Sequence, residues 1–239
     1  MDNKVVNVEE ELAKDMGKLV DGDARGWTEE ELPVGLIRER IPRHVAVLTV
    51  FAFSTGNWVR PQVEIDFLMN TFEIFLRDLK VFIRNEVRVS IIGDTTKLPI
   101  GLQDAITKTS QATKNYAKLH VILAINYGGR EDIIQACQSL CRKVNDNLIE
   151  PKDINENLIK QELETKCTEF PYPDLLIRTS GEHRLSNFLM WQLAYTELYF
   201  EECLWPDFGE KEFVKALLSF QGRQRRYGGQ GLDEEVRRG

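Results

Sequence analysis

Polar side chains suited to binding an anion follow three predicted β-strands. These strands are the apolar runs at 48–54, 119–126 and 174–177, and the polar residues come directly after each one. The set consists of Ser54, Asn57, Trp58, Arg60, Arg130, Arg178, His183, Arg184 and Ser186. The carboxyl ends of parallel strands meet at one edge of a sheet, which is where α/β proteins bind ligands. Arginine forks and hydroxyl groups recognise phosphate oxygens, so this edge is predicted to hold a phosphate or diphosphate.

The alternative for any single arginine is an ion pair with a surface carboxylate, and three clusters together favour the anion site. The glycine-rich nucleotide signatures GxxxxGK[ST] and GxGxxG do not occur in the sequence. His183, between Glu182 and Arg184, could carry a proton, although a loop histidine is more often a hydrogen-bonding surface residue.

Glu197 is a carboxylate within the aromatic segment AYTELYF. Burying a carboxylate is costly unless it is paired or binds a metal. Two interpretations stay open: a salt bridge to an interior arginine, or Mg²⁺ that bridges Glu197 to a diphosphate.

The elements that would position these residues alternate between strand and helix. Strands are predicted at 48–54, 87–93, 119–126 and 174–181, and a long amphipathic helix follows Pro61 with apolar residues every three or four positions. Such alternation is typical of an α/β fold with a mainly parallel central sheet flanked by helices. Residues 1–40 are polar, and a lead-in or a surface helix is expected there.

Composition narrows the class of protein. The chain has 239 residues and a net charge of −7, which argues against a nucleic-acid partner. Four cysteines are too few for a disulfide framework, and Cys137 and Cys141 are expected to pack in the core rather than bind a metal. There is no apolar run of about 18 residues, so no transmembrane segment is predicted. No targeting segment is recognisable at the amino terminus.

Three stretches resemble the cis-prenyltransferases, the family of undecaprenyl, dehydrodolichyl and short-chain Z-prenyl diphosphate synthases. They are FAFSTGNWVRP, INYGGREDI and DLLIRTSGEHRLSNFLMWQLAYTELYFEECLWPDF. The resemblance covers about residues 36–229 and is strongest to the plant branch, with a domain expected at 41–229 and a charged tail at 230–239. It implies the cis addition of isopentenyl diphosphate to an allylic diphosphate, with Mg²⁺ as cofactor and a homodimer or related heterodimer as the assembly.

The resemblance also implies roles for individual residues. Arg178, Arg184 and Ser186, with His183 beside them, would hold isopentenyl diphosphate, and Glu197 would belong to the Mg²⁺ site. The substrate-positioning and proton-loss roles would fall to Ser54, Asn57, Trp58, Arg60 and Glu64. Arg226 and Gly228 are similar to a carboxyl-terminal RxG motif that reaches the diphosphates across a dimer interface. The apolar helix after Pro61 would form a wall of the chain-elongation tunnel.

One departure from the family is large. In the family, HVAV is followed by an IMDGNGRWA-like segment, a helix and a linker, and its aspartate anchors Mg²⁺. Here HVAV (44–47) continues directly into LTVFAFST, and DGN occurs nowhere in the chain. Parallel strands need a crossover of a dozen or more residues, so one βα unit is expected to be missing at Val47–Leu48.

Two further hypotheses follow from this departure. The chain could be a non-catalytic accessory subunit that completes a partner's site, or an inactive splice form. By resemblance the compartment is the plastid stroma, with the cytoplasm or the surface of the endoplasmic reticulum as the alternative.

Overall fold

The central feature of the molecule is a six-stranded, wholly parallel sheet with the strand order β3-β4-β2-β1-β5-β6. The computed structural model describes residues 4–9 and 45–224. Its strands are β1 (Lys4–Glu9), β2 (Val45–Ser54), β3 (Val87–Ile92), β4 (Leu119–Tyr127), β5 (Leu175–Arg178) and β6 (Glu197–Phe200). The predicted α/β class with a parallel sheet is confirmed.

Six α-helices connect and cover the strands in the described part of the chain. They are α1 (Gln62–Arg77), α2 (Leu79–Arg84), α3 (Ile100–Thr113), α4 (Gly129–Asn145), α5 (Glu156–Glu162) and α6 (Glu210–Gln221). Short 3₁₀ turns lie at Thr55–Val59, Thr95–Lys97, Pro151–Asp153, Glu164–Cys167 and Trp205–Asp207. None of the described helices is long and apolar enough to cross a membrane.

Strand β1 corrects the prediction of a lead-in outside the sheet. Its backbone pairs with β2 on one side, from Lys4 opposite Val45 to Glu9 opposite Phe51. On the other side Glu9 lies opposite Arg178 of β5. Residues 4–9 are therefore a central strand, and the rest of the segment 1–40 lies outside the described residues.

Strand β2 runs without interruption through the expected junction. Val47 and Leu48 are consecutive residues of one ten-residue strand, and they pair with His120 and Val121 of β4. The described chain therefore makes no crossover between HVAV and LTVFAFS, as the departure from the family predicted.

Two apolar layers hold the sheet, one on each face. On one face α1, α3 and α6 pack over residues such as Val50, Leu123 and Ile177. On the other face Phe188 and Leu189 pack against Phe51 and neighbouring strand residues. Both layers are built from alternate strand residues, as expected where side chains point to opposite faces with a period of two.

Helix α1 presents a narrower buried face than its apolar pattern predicted. Its buried residues include Leu68, Phe72 and Phe75, whereas Val63 and Phe67 are 67% and 41% exposed. A helix covers the core with only one stripe, so apolar residues on its back stay exposed.

One other expectation is wrong. Cys137 and Cys141 are exposed on α4, where Ala136 and Leu140 supply the buried face instead.

Candidate functional site

The carboxyl edge of the sheet gathers most of the predicted site residues. Ser54 ends β2 and pairs with Tyr127 at the end of β4, while Arg178 ends β5 two strands away. Strands lie about 4.8 Å apart, so the ends of β2 and β5 are separated laterally by roughly 10 Å. The clusters after β2, β4 and β5 therefore share one edge, as predicted.

The turn after β2 is held by its own side chains. Asn57 Oδ1 accepts the backbone N–H of Ser54 at 2.7 Å, and Ser54 Oγ accepts that of Gly56 at 3.1 Å. This reciprocal capping satisfies amides that a short helix would otherwise leave unpaired. In the structure, Ser54 and Asn57 thus shape the turn that presents Trp58 and Arg60.

Asn126 clamps that turn to the ends of β3 and β4. Its Oδ1 accepts the indole N–H of Trp58 at 2.7 Å, and its Nδ2 donates to the carbonyl of Asp94 at 2.7 Å. Asn126 is 2% exposed and has a φ of +53°, a conformation that asparagine tolerates better than most residues. Gly93 is needed beside it, because a Cβ there would lie 2.1 Å from the carbonyl oxygen of Ile125. The orientation of Trp58 therefore depends on a residue that the sequence analysis did not select.

The segment that follows β5 has an unusual backbone. Five of the nine described residues with positive φ lie in it, namely Ser180, Gly181, Ser186, Asn187 and Leu189. Phe188 anchors the segment, because it is fully buried and its ring stacks on that of Phe51 at 4.5 Å between centroids. Left-handed residues outside glycine store strain and cluster at functional sites.

Asn187 joins this segment to the amino terminus of α4. Its backbone carbonyl accepts the N–H of Gly129 at 2.6 Å, and its Oδ1 accepts the N–H of Arg130 at 2.9 Å. Its Nδ2 donates to Glu131 Oε2 at 3.0 Å. The first amides of α4 are thus occupied by Asn187, and the anion-binding capacity of this cluster rests on the exposed Arg130 side chain.

The remaining predicted residues show mixed environments. Arg60, just before α1, and Glu64, in its first turn, form an ion pair at 3.3 Å, and each side chain is 19% exposed. His183 stacks on Phe200 at 4.8 Å between ring centroids, and Arg184 pairs with Glu182. Stacking on an apolar ring orients His183 by packing.

Glu197 does not join the other residues within one chain. It begins β6, whereas Arg178 ends the neighbouring β5, so about 10 Å of strand separates the two levels. Arg223 Nη1 donates to Glu197 Oε2 at 2.9 Å, so Glu197 does form a salt bridge, but the expected burial is wrong because the side chains are 31% and 29% exposed. Among the described residues no group of three or more His, Cys, Asp or Glu side chains could hold a metal ion.

A network of buried acidic side chains connects the carboxyl ends of β3 and β4. Asp132, 2% exposed, accepts the hydroxyl of Tyr127 at 2.9 Å and the backbone N–H of Glu164 at 2.9 Å. Glu164 in turn accepts the N–H of Gly93. Burial raises the pKa of Glu164, and the negative charges of Asp132 and Asp94 raise it as well. The hydrogen bond from Gly93 acts in the other direction and lowers this pKa.

Asn126 and Asn187 are the positioning residues that sequence reasoning missed. Each lies beside a predicted cluster and has a positive φ, for which asparagine next to a strand end is a usable signal. Arg226 and Gly228, predicted as an RxG motif, lie outside the described residues.

The undecaprenyl diphosphate synthase family model matches residues 21–228. That span is most of the 239-residue chain and includes the carboxyl ends of β2, β4 and β5. The chain belongs to this family.

Individual members show the same relationship. The chain is 53% identical to cis-prenyltransferase 4, chloroplastic, of Solanum lycopersicum, with 92% of this chain and 75% of that protein covered. It is 58% identical to dehydrodolichyl diphosphate synthase 2 of Arabidopsis thaliana over 77% of this chain and 60% of that protein. The crystal structure of lavandulyl diphosphate synthase from Lavandula x intermedia, in complex with dimethylallyl diphosphate, has a TM-score of 0.84 and 39% identity. That match covers 94% of this chain and 98% of the lavender chain.

One match runs over more residues than this chain contains. The match to dehydrodolichyl diphosphate synthase CPT5, chloroplastic, of S. lycopersicum runs over 253 residues, more than the 239 of this chain, at 51% identity. It covers 96% of this chain and 81% of that protein. This cis-prenyltransferase relative therefore contains residues that have no counterpart here.

Proposed function

We propose that this chain condenses isopentenyl diphosphate with an allylic diphosphate to give a Z-prenyl diphosphate. The observation that carries the proposal is the shared carboxyl edge, where the turn after β2 and the segment after β5 both follow strand ends of one parallel sheet. The two strand ends are separated laterally by roughly 10 Å, so their side chains could contact neighbouring substrates. The relatives named above, which are prenyl diphosphate synthases, support the same reaction class.

The reaction makes one carbon–carbon bond and breaks one carbon–oxygen bond. The double bond of isopentenyl diphosphate attacks the allylic carbon, the diphosphate departs with the electron pair, and a proton then leaves the isopentenyl unit. Arg178 and Arg184 would hold the isopentenyl diphosphate, because guanidinium forks pair with phosphate oxygens in two places. The turn containing Ser54, Asn57 and Trp58, with the Arg60–Glu64 pair, would hold the second substrate and assist proton loss.

We propose that Mg²⁺ binds only when two chains are assembled. When bound, it would neutralise charge that develops on the departing diphosphate. Within one chain Glu197 is paired with Arg223 and lies at the other end of the sheet, so a Mg²⁺ site that includes it would need a second chain. The homodimer and the plastid stroma remain proposals on the same basis, the latter supported by relatives named chloroplastic.

The direct test is incorporation of radiolabelled isopentenyl diphosphate by the purified chain, with several allylic primers, with and without Mg²⁺. The R184A variant serves as a matched control, because Arg184 is exposed and its loss should leave the fold intact. Label in a prenyl product that falls in R184A would support the proposal. No incorporation with any primer would overturn it.

A second candidate, a non-catalytic accessory subunit, is favoured by the uninterrupted β2 and the residues missing relative to CPT5. Adding the purified chain to an active cis-prenyltransferase distinguishes the two. An accessory subunit raises the partner's turnover and has none alone. Sequencing of transcript and genomic DNA across codons 47 and 48 would show whether an exon encoding a DGN-type segment lies there.

A further inference from the structure

Within residues 4–9 and 45–224, two hydroxyl groups after β5 are buried without a hydrogen-bond partner. Thr179 is 1% exposed, and its Oγ1 makes no hydrogen bond in this part of the chain; the same holds for the buried Oγ of Ser180. Buried polar atoms in native proteins are almost always paired, so each exception calls for an explanation. An unpaired buried hydroxyl lowers stability, because it has lost its water without a replacement.

The backbone holds both hydroxyls in place. The N–H of Ser180 donates to the carbonyl of Cys203 at 2.8 Å, and the N–H of Gly181 donates to the carbonyl of Glu201 at 3.0 Å. Ser180 nevertheless has a φ of +67°, which is strained for a residue with a Cβ. Strain and an unpaired polar group at adjacent positions are both features of binding sites.

We propose that the hydroxyls of Thr179 and Ser180 donate hydrogen bonds to phosphoryl oxygens of a diphosphate bound beyond β5. The inference rests on the proposed function and adds two ligands to Arg178, Arg184 and Ser186. A hydroxyl supplies one donor without adding charge, and a charged acceptor makes that hydrogen bond strong. Both oxygens are covered from solvent, while the following Gly181 and Glu182 are only half-buried, so a diphosphate would have to approach the hydroxyls from the side of these two residues.

The first test compares two buried threonines. Valine at Thr179 removes the hydroxyl and keeps the shape, so T179V should unfold at an equal or higher denaturant concentration than the wild type. Thr109, also 1% exposed, donates to the carbonyl of Leu76 at 2.6 Å, so T109V should unfold at a lower concentration. In titration calorimetry with inorganic pyrophosphate at fixed ionic strength, T179V should bind about tenfold more weakly and T109V as the wild type.

The second test separates the hydroxyl of Ser180 from its backbone strain. S180A and S180G both lack the hydroxyl, but glycine adopts a positive φ without cost. Both variants should therefore bind pyrophosphate more weakly to the same extent, whereas S180G should unfold at a higher denaturant concentration than S180A. A purely structural role would leave pyrophosphate affinity unchanged in both.

Wild-type affinity for pyrophosphate in T179V and S180G, or no pyrophosphate binding by the wild type, would overturn this inference. Turnover is scored separately from binding. A chain that binds pyrophosphate through both hydroxyls and incorporates no isopentenyl diphosphate would overturn the proposed reaction and leave the inference standing.

Discussion

A single histidine in β4 gives the fold a dependence on acidic pH. His120 is 8% exposed, and its Nε2 lies 2.8 Å from Ser90 Oγ. Burial, and then the charge of Arg88, lowers the pKa of His120 from 6.5 to about 4. The folded state therefore binds fewer protons than the unfolded state between these values. Its contribution to stability is complete above pH 6.5 and is lost as the pH falls towards 4.

The H120Q variant should lose this dependence. The difference in pKa corresponds to at most about 3 kcal/mol of the free energy of unfolding between pH 6.5 and 4. Denaturant titrations of both proteins at several pH values would measure it. Parallel pH profiles for wild type and H120Q would contradict the assignment.

Glu164 has the opposite effect on how the stability of the fold depends on pH. Its pKa is raised by burial, so the folded state favours the protonated form and stability is lost as the pH rises through the folded pKa. The E164Q variant keeps an oxygen that accepts the N–H of Gly93 and removes the charge. We expect E164Q to be more stable than the wild type at pH 7.5 and to lose that advantage near pH 4, as thermal unfolding at both pH values would show. A less stable E164Q at pH 7.5 would show that the charge is needed.

At the scale of elements, the Asn126 clamp should couple the turn after β2 to the end of β3. N126G keeps the positive φ but removes the amide, and W58F removes the indole donor together with part of the ring that packs on Phe53. Each variant should lower the free energy of unfolding by roughly 1–2 kcal/mol. The double variant W58F/N126G should lose less free energy of unfolding than the two single variants lose together, because each single variant already removes the same hydrogen bond. Additive losses would exclude this coupling. N126G should also lower kcat more than it weakens substrate binding, as steady-state kinetics would show.

Strand β1 makes a backbone prediction. Val6 lies between Leu48 of β2 and Leu175 of β5, in the middle of the sheet. Proline has no N–H for the ladder and is tolerated essentially only on edge strands, so V6P should destabilise the fold by about 3 kcal/mol or more. E210P is the matched control, because Glu210 is exposed at the first position of α6, where proline is tolerated, so this variant should unfold nearly as the wild type does. Unchanged unfolding of V6P would remove β1 from the sheet.

The elements with a strong local signal were predictable, and those that depend on distant partners were not. Continuous apolar runs indicated β2 and β4, and their order placed Ser54 and Arg178 at one edge. Strand β1 was not predicted because its sequence, KVVNVE, has polar residues at its ends and centre, unlike a typical buried parallel strand. Asn126 was not predicted because it binds Trp58, 68 positions away in the sequence. A local sequence pattern shows neither the strands beside β1 nor the hydrogen-bond partner of Asn126.

At the scale of the whole molecule, the uninterrupted β2 connects the fold to the activity. HVAV cannot lead into a DGN-type segment while it continues as the first part of β2, and the central position beside β2 is filled by residues 4–9. A hybrid with a family DGN segment, its helix and its linker between Val47 and Leu48 would restore the crossover that parallel strands require. It would also add the aspartate to which the resemblance assigns the binding of Mg²⁺.

We expect this hybrid to incorporate isopentenyl diphosphate on the order of 100-fold faster than the natural chain, because losing one electrostatic contact to the transition state typically costs that much. The control is the same hybrid with the inserted aspartate replaced by alanine, which has the crossover but not the ligand. If that control is as slow as the natural chain, the missing carboxylate limits the rate of the natural chain. If the control is as fast as the hybrid, the missing crossover limits that rate. Equal rates for the hybrid and the natural chain would show that the carboxyl edge described here performs the reaction without either.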